Sequence, residues 1–333
     1  MPINASYKRH CDAIVNEINK RDHFLITAHI NADGDAISAL LAMSYYLTVL
    51  KKDFIMVLHD ENPDSRFNYL KNFDKIYSYD ENIDFGGKLK SRKIETVIVV
   101  DAPGFRRLGD VEKIIPKEAF IVKIDHHPSE DTMGAVDWVD EKASSASALV
   151  YEVIAHSGIT LNFEIAEAVF SGIVYDTGRF SFSNTRSRDF EIAAVLLSYG
   201  VDPAKITEKM FFENSPLALK IVGKGLADMQ SYFDNQVNVI YIGLEDMQKT
   251  DSSEIEILAN YSVAIRNGRV GIFIREIQKN FHKISLRAKG DIDVNRVAKA
   301  FDGGGHRKAA GCRIEGTRDK IIDKLLREIK KQL

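Results

Sequence analysis

Three short apolar runs, each ending in side chains that ligate metals, constrain this chain more than any other feature. Phe24-Leu25-Ile26-Thr27 leads into His29-Ile30-Asn31-Ala32-Asp33-Gly34-Asp35, Val97-Ile98-Val99-Val100 stops at Asp101, and Phe120-Ile121-Val122-Lys123-Ile124 runs into Asp125-His126-His127. Near-continuous apolar runs bounded by polar loops read as strands buried on both faces, the mark of a parallel sheet. Open sheets of that kind bind ligands beyond the carboxyl ends of their strands. All three runs deliver acids or imidazoles at that end.

The rest of the first half fits an α/β layer. Strand candidates at 23–29, 53–58, 76–79, 96–101 and 120–125 are interleaved with or followed by helical patterns at 35–51, 145–157 and 163–175. The expected fold is a parallel sheet with helices on both faces. A helix opening at Asp35-Ala36-Ile37-Ser38 would aim its first amides at any anion held in the acidic loop. From Ser187 to Tyr232 the pattern is helical, broken at Gly200-Val201-Asp202-Pro203 and Asn214-Ser215-Pro216, which reads as a connector. Strands are expected again at 237–242, 269–276 and 282–288, the last two as a hairpin around Gln278-Lys279-Asn280. A helix at 293–301, a strand through Cys312-Arg313-Ile314 and a helix from Thr317 complete a smaller α+β domain. The organisation expected is therefore a catalytic, metal-binding domain at 1–186, a helical linker at 187–232 and a substrate-binding domain at 233–333.

Composition narrows the function by exclusion. A chain of 333 residues has two domains as its prior, and 45% apolar with 28% charged residues is enough to build real cores. A net charge of −3 is nearly balanced, whereas tracking long nucleic acid calls for a broad basic surface, so a long polymer is disfavoured as substrate. Cys11 and Cys312 form no C-x-x-C pair, which rules out a cysteine zinc site and a disulfide framework. The first twenty residues, MPINASYKRHCDAIVNEINK, read as a polar helix and not a signal peptide. No apolar run approaches membrane-spanning length. The expectation is a cytoplasmic protein without a membrane partner; a homodimer is left open.

The chemistry rests on convergence. His29, Asp33, Asp35, Asp101, His126 and Asp176, the last within Val174-Tyr175-Asp176-Thr177-Gly178-Arg179, amount to four carboxylates and two imidazoles. Four negative charges in one place resist burial unless cations neutralise them. Two divalent ions balance the count, and oxygen donors mixed with imidazole suit Mn2+, with Mg2+ as the alternative. In such a pair one carboxylate bridges ions about 3.5–4 Å apart, and an activated water attacks phosphorus in line. His127, beside a ligand but projecting differently, is a candidate donor to the phosphoryl oxygens or the leaving group; its blander role is to orient a ligand. Gly303-Gly304-Gly305-His306 is either an amide-lined phosphate clamp together with Arg287 or a plain turn between helix and strand. His10, His23, His59, His156 and His282 lack partners in sequence and read as ordinary surface or core histidines. Trp138, in Asp137-Trp138-Val139-Asp140, suggests no function.

With these residues assembled, the chain resembles the DHH phosphoesterase superfamily in the branch carrying a C-terminal DHHA1 domain. HINADGD, VVDAP, IDHHP and YDTGRF resemble the family's four motifs in order, and GGGH followed by Ala309-Ala310-Gly311 resembles the DHHA1 signature. The resemblance implies one ion held by His29, Asp33 and Asp101, and another by Asp35, Asp101, His126 and Asp176, with Asp101 bridging. It implies that Asp125 stands behind the ligands, that His127 touches substrate phosphate, and that Arg287, His306 and the glycines grip a nucleotide. His29 replaces the aspartate of some members, which leaves a competent ligand. The chain is too short and too neutral for a RecJ-type exonuclease. Family II pyrophosphatases lack the GGGH loop, and their Ser-Arg-Lys tripeptide is matched here only at Ser91-Arg92-Lys93, in the wrong domain. What remains resembles the bifunctional oligoribonuclease/pAp phosphatases, or nanoRNases. That implies cleavage of very short oligoribonucleotides to mononucleotides and removal of the 3′-phosphate of pAp. The alternative is a phosphodiesterase for cyclic di-AMP or its linear product pApA. A nucleotide-binding sensor that has lost catalysis is disfavoured, because every expected ligand is present.

Overall fold

The apolar runs pair as expected, all in parallel. Residues 5–333 are described in the computed structural model, and they divide after Phe212 into two units, each with its own sheet. The first four residues of the expected N-terminal helix lie outside the described residues. The first unit contains, in chain order, α1 (Ala5–Lys20), β1 (Phe24–Thr27), α2 (Gly34–Val49), β2 (Phe54–Leu58), β3 (Ile76–Ser78), β4 (Thr96–Val100), β5 (Phe120–Asp125), β6 (Val136–Val139), α3 (Ala146–His156), α4 (Phe163–Asp176), α5 (Ser187–Leu197) and α6 (Pro203–Phe211). Its strands lie in the order β3-β2-β1-β4-β5-β6. Leu25 sits between Ile55 and Val97, and Ile98 sits beside Val122. The strand order turns back between β1 and β4, and a crevice opens at the carboxyl ends of such a pair.

Alternate strand residues serve two cores. Phe24 and Ile26 of β1 join α2, α3 and α4 on one face, while Leu25, Val97 and Val99 face the other. That second face is covered by 3-10 turns, chiefly Phe105–Ile114 with Leu108 and Val111, and not by long α-helices. Helix α2 is buried from Gly34 through Leu47, as a helix apolar on all sides must be. Each large apolar side chain it buries contributes about 1.5–3 kcal/mol. The short strand β6 was not evident in the sequence. It places Trp138 under α1, with Tyr7 edge-on at 5.1 Å and His10 parallel at 5.7 Å, so the tryptophan packs the sheet edge.

The 187–232 segment is divided between the units. Helices α5 and α6 pack against α4 in the first, and α7 (Pro216–Ala227) opens the second. The second unit continues with β7 (Gln230–Tyr232), β8 (Val237–Ile242), α8 (Leu244–Met247), α9 (Ile257–Ser262), β9 (Val270–Gln278), β10 (Phe281–Ala288), α10 (Val294–Lys299), β11 (Gly304–Gly305), β12 (Ala309–Glu315) and α11 (Arg318–Lys330). Its sheet runs β11-β12-β10-β9-β8-β7, antiparallel except between β8 and β9. One face packs Ile274, Ile284 and Leu286 on α10 and α11; the other packs Ile240 and Phe273 on α7 and α9. Among the described residues no helix is long and apolar enough to cross a membrane.

Candidate metal centre

The turn after β1 is built backwards from its two acids. Asp33 caps α2, its Oδ1 accepting from the amides of Asp35 at 3.0 Å and Ala36 at 3.2 Å. Gly34 stands between the acids because a Cβ there would meet the rings of Phe67 at 2.2 Å and Tyr175 at 2.5 Å. Asp35 points inward onto the start of α3, where the amides of Ala146 and Ser147 donate to its two oxygens at 2.6 and 3.0 Å. The loop itself is held by Asp60, whose carboxylate accepts from the amides of Asn31 and Ala32, both at 2.8 Å.

Asp101 follows β4 with a φ of 54°, an uncommon conformation for a residue other than glycine. One of its oxygens faces each imidazole: Oδ2 lies 3.4 Å from His29 Nε2, and Oδ1 lies 3.3 Å from His126 Nε2. The ligand atoms of His29, Asp33 and Asp101 lie within 4.8 Å of one another, and so do those of Asp35, Asp101 and His126. Asp176, the last residue of α4, brings Oδ2 to 3.7 Å from His126 Nε2. An acid at a helix C-terminus opposes the helix dipole, so helix stability does not explain its placement. Asn184 braces it, donating to the Asp176 carbonyl at 3.0 Å and to its Oδ2 at 3.4 Å.

Both imidazoles are turned to present Nε2. His29 Nδ1 donates to the carbonyl of Ile30 at 2.8 Å, and His126 Nδ1 to that of Ala143 at 3.3 Å. This is the way ligating histidines are usually held. Asp101 Oδ1 is buried and accepts no hydrogen bond of ordinary geometry. A carboxylate with its orphaned oxygen toward His126 Nε2 and its other oxygen toward His29 Nε2 fits a divalent cation at each imidazole. The environment is graded: Asp101 is 1% exposed and Asp35 wholly buried, whereas Asp33 is 39% exposed, so solvent reaches the centre on the His29–Asp33 side.

The electrostatics match. Burial works against charge on His29, but the carboxylates of Asp101 and Asp33 outweigh it and raise its pKa to about 9. Burial, reinforced by Asp101, pushes the Asp35 carboxyl up to about 7. Burial alone would raise Asp101 as well, yet the imidazoles of His126, His29 and His127 hold it well below the usual carboxylate range. Protons neutralise this cluster where cations do not.

His127 stands beside the cluster. Its Nδ1 lies 2.9 Å from Asp125 Oδ1 and 3.4 Å from Asp101 Oδ1, and the three residues form a further close group. Asp125 Oδ1 also accepts from the amides of His126 at 2.8 Å and His127 at 3.2 Å, so one buried carboxylate shapes the whole turn.

In the second unit Arg287 lies on β10 opposite Ala309, and its Nε donates to Asn260 Oδ1 at 3.1 Å. The glycine run is a packed element. Gly304 and Gly305 pair with Gly311 and Ala310, and a Cβ on Gly303 would meet the Gly311 carbonyl at 2.2 Å. The amides of Gly303 and His306 are already committed, to Ala298 at 2.9 Å and to Ala309 at 2.8 Å. Asp60, Asn184 and Gly172 escaped the sequence reading. A Cβ on Gly172 would lie 1.9 Å from Ser147 Oγ and 2.8 Å from Asp35 Oδ1. Nothing local marks these positions.

Comparison with known proteins finds two family models along the chain. A family model described as the DHH family, N-terminal domain, matches residues 23–173, and one described as the DHHA1 domain matches residues 235–333. A bifunctional oligoribonuclease and PAP phosphatase, NrnA, of Thermus thermophilus is 27% identical over 92% of this chain and 89% of its own. The protein of that name from Bacillus subtilis is 29% identical over 90% of this chain and 92% of its own. Among solved structures, an exopolyphosphatase-related protein from Bacteroides fragilis superposes with a TM-score of 0.88 at 26% identity, covering 97% of this chain and 96% of the other. The two models match in order along the chain, and full-length relatives carry phosphoesterase names: the chain belongs to the DHH/DHHA1 family of phosphoesterases.

Proposed function

We propose that this phosphoesterase is a cytoplasmic, Mn2+-dependent enzyme that hydrolyses very short oligoribonucleotides to mononucleotides and removes the 3′-phosphate of pAp. The observation that carries the reading is Asp101, a buried carboxylate with one oxygen toward each of two imidazole-bearing donor sets. The names of the relatives from Thermus thermophilus and Bacillus subtilis support the substrate class. In this reading His29, Asp33 and Asp101 hold one ion, and Asp35, Asp101, His126 and Asp176 hold the other. When bound, a pair of divalent ions supplies Lewis-acid stabilisation of the phosphoryl oxygens and makes a water acidic enough to attack near neutral pH.

The protein's own groups do the rest. Asp125 fixes the ring of His127 through Nδ1. In its imidazolium form His127 would offer Nε2–H to a non-bridging phosphate oxygen or to the departing ribose oxygen. Asn184 keeps Asp176 aimed inward, and the amides at the start of α3 keep Asp35 in place. Arg287 is assigned to the nucleotide through a guanidinium suited to phosphate, and the Gly303-Gly304-Gly305-His306 loop through the close approach its glycines allow, since the Gly303 and His306 amides are committed within the fold.

Incubating the purified protein with Mn2+ and separately with RNA dinucleotides, pAp, pyrophosphate and cyclic di-AMP tests the proposal. Fastest turnover of dinucleotides, with pAp also hydrolysed, is expected. Preferential hydrolysis of pyrophosphate would overturn it, and preference for cyclic di-AMP would move the substrate to cyclic dinucleotides. Tight metal-dependent binding with no hydrolysis would make the chain a sensor.

A further inference from the structure

Lys123 is a fully buried cation on β5, two residues before Asp125. Among the described residues no carboxylate pairs with its ammonium. Its partners are the Pro103 carbonyl at 2.7 Å, Ser129 Oγ at 3.1 Å and the Asp131 carbonyl at 3.4 Å. An ammonium has three donors, and these three acceptors come from two different loops. Pro103 belongs to the loop that begins with Asp101. Ser129 and Asp131 belong to the loop that begins with His126 and His127.

Other bonds run across the same seam. The Glu130 amide donates to the Pro103 carbonyl at 3.0 Å, and the Phe105 amide to Asp131 Oδ2 at 3.1 Å. Asp101 itself needs such support, because a non-glycine residue at a φ of 54° persists only where its surroundings over-determine it. A buried charge without a counter-charge is costly, and a methionine would fill the same space without that cost. What a lysine adds is a common centre for the two loops.

We propose that Lys123 is a positioning residue for the metal centre: its buried ammonium clasps the Asp101 loop to the His126–His127 loop and so sets the distance between the bridging carboxylate and the histidine face. The inference rests on the phosphoesterase reading above, with Asp101 shared between two ions.

The test compares wild-type protein with Lys123→Met and Ser129→Ala, each checked for a cooperative melt. Three readouts are taken: Mn2+ stoichiometry and electron paramagnetic resonance, amide exchange at Glu130, and kcat and KM on a dinucleotide. For Lys123→Met the expected result is a kcat lowered about 10–100-fold, as for residues that orient metal ligands, with KM changed less than about threefold. The spin-coupled signal of paired Mn2+ should give way to isolated-ion lines, and exchange at Glu130 should quicken. Ser129→Ala, which removes one acceptor and leaves the lysine in place, should shift the same readouts in the same direction by a few-fold. It decides the matter if Lys123→Met does not fold. A folded Lys123→Met protein, or a Ser129→Ala protein, with wild-type coupling, exchange and kcat would overturn the inference. Wild-type protein that binds no pair of ions would instead defeat the metal reading on which it rests.

Discussion

At the scale of single residues, Asp101 and Asp125 are both buried aspartates at strand ends, yet they should answer differently to the same change. Asp101 turns an oxygen to each imidazole set, so Asp101→Asn removes charge from both ion positions at once and should lower kcat by more than about a thousandfold, well past the range for orienting residues. Asp125 faces amides and His127, so Asp125→Asn should cost about 10–100-fold and leave two ions bound. Steady-state kinetics and metal analysis at saturating Mn2+ check both; equal, mild losses would contradict the assignment. The sequence made the donors legible because acids and imidazoles at strand ends have few other reasons to cluster. It could not reveal Asp60, Lys123, Gly172 or Asn184. Each acts on a residue distant in the chain, and a lone Asp, Lys, Gly or Asn has many ordinary uses.

Among elements, the helix starts carry the site as much as the strands do. Ser145 caps α3 by accepting from the Ala148 amide at 3.0 Å, and the next two amides hold Asp35. Ser145→Ala should cost about 1 kcal/mol, the usual value of such a cap. It should also weaken Mn2+ binding, because the amides that fix Asp35 would fray. Thermal melts with and without Mn2+ separate the effects: the loss in melting temperature should be larger with the ion present. A loss equal in both conditions would leave the cap a purely structural role. The long strands and helices were legible because buried parallel strands read as unbroken apolar runs, and helices as periodic ones. The strand Val136–Val139 was missed since Asp137 interrupts so short a run, and β7 since Gln230-Ser231-Tyr232 has no apolar signature. The glycine run read as a loop or clamp, whereas two of its glycines form a strand that pairs only because β12 lies beside it.

For the molecule as a whole, charge and size set the remaining expectations. His29, with a pKa raised to about 9, and Asp35, raised to about 7, hold protons at neutral pH that a cation must displace. Binding therefore releases protons, and affinity should rise with pH through that window by up to about tenfold per pH unit for each proton displaced. Calorimetric Mn2+ titrations between pH 6.5 and 8 should show tightening; affinity flat across that range would mean that the cluster is already deprotonated. Substrate length is the other whole-molecule property. The donor cluster lies in the first unit and Arg287 in the second, each built on its own core. A residue that binds nucleotide without touching the scissile phosphate contributes only where the substrate is large enough to reach it, and binding used for positioning appears in kcat as well as KM. Arg287→Ala should therefore lower kcat/KM on an RNA dinucleotide by about 10–100-fold, the loss of one or two charge-assisted hydrogen bonds. It should leave a small chromogenic phosphodiester within about twofold of wild type and Mn2+ affinity unchanged. Equal losses on both substrates would place Arg287 in the fold or the chemical step, and the nucleotide would then have to be held by other groups.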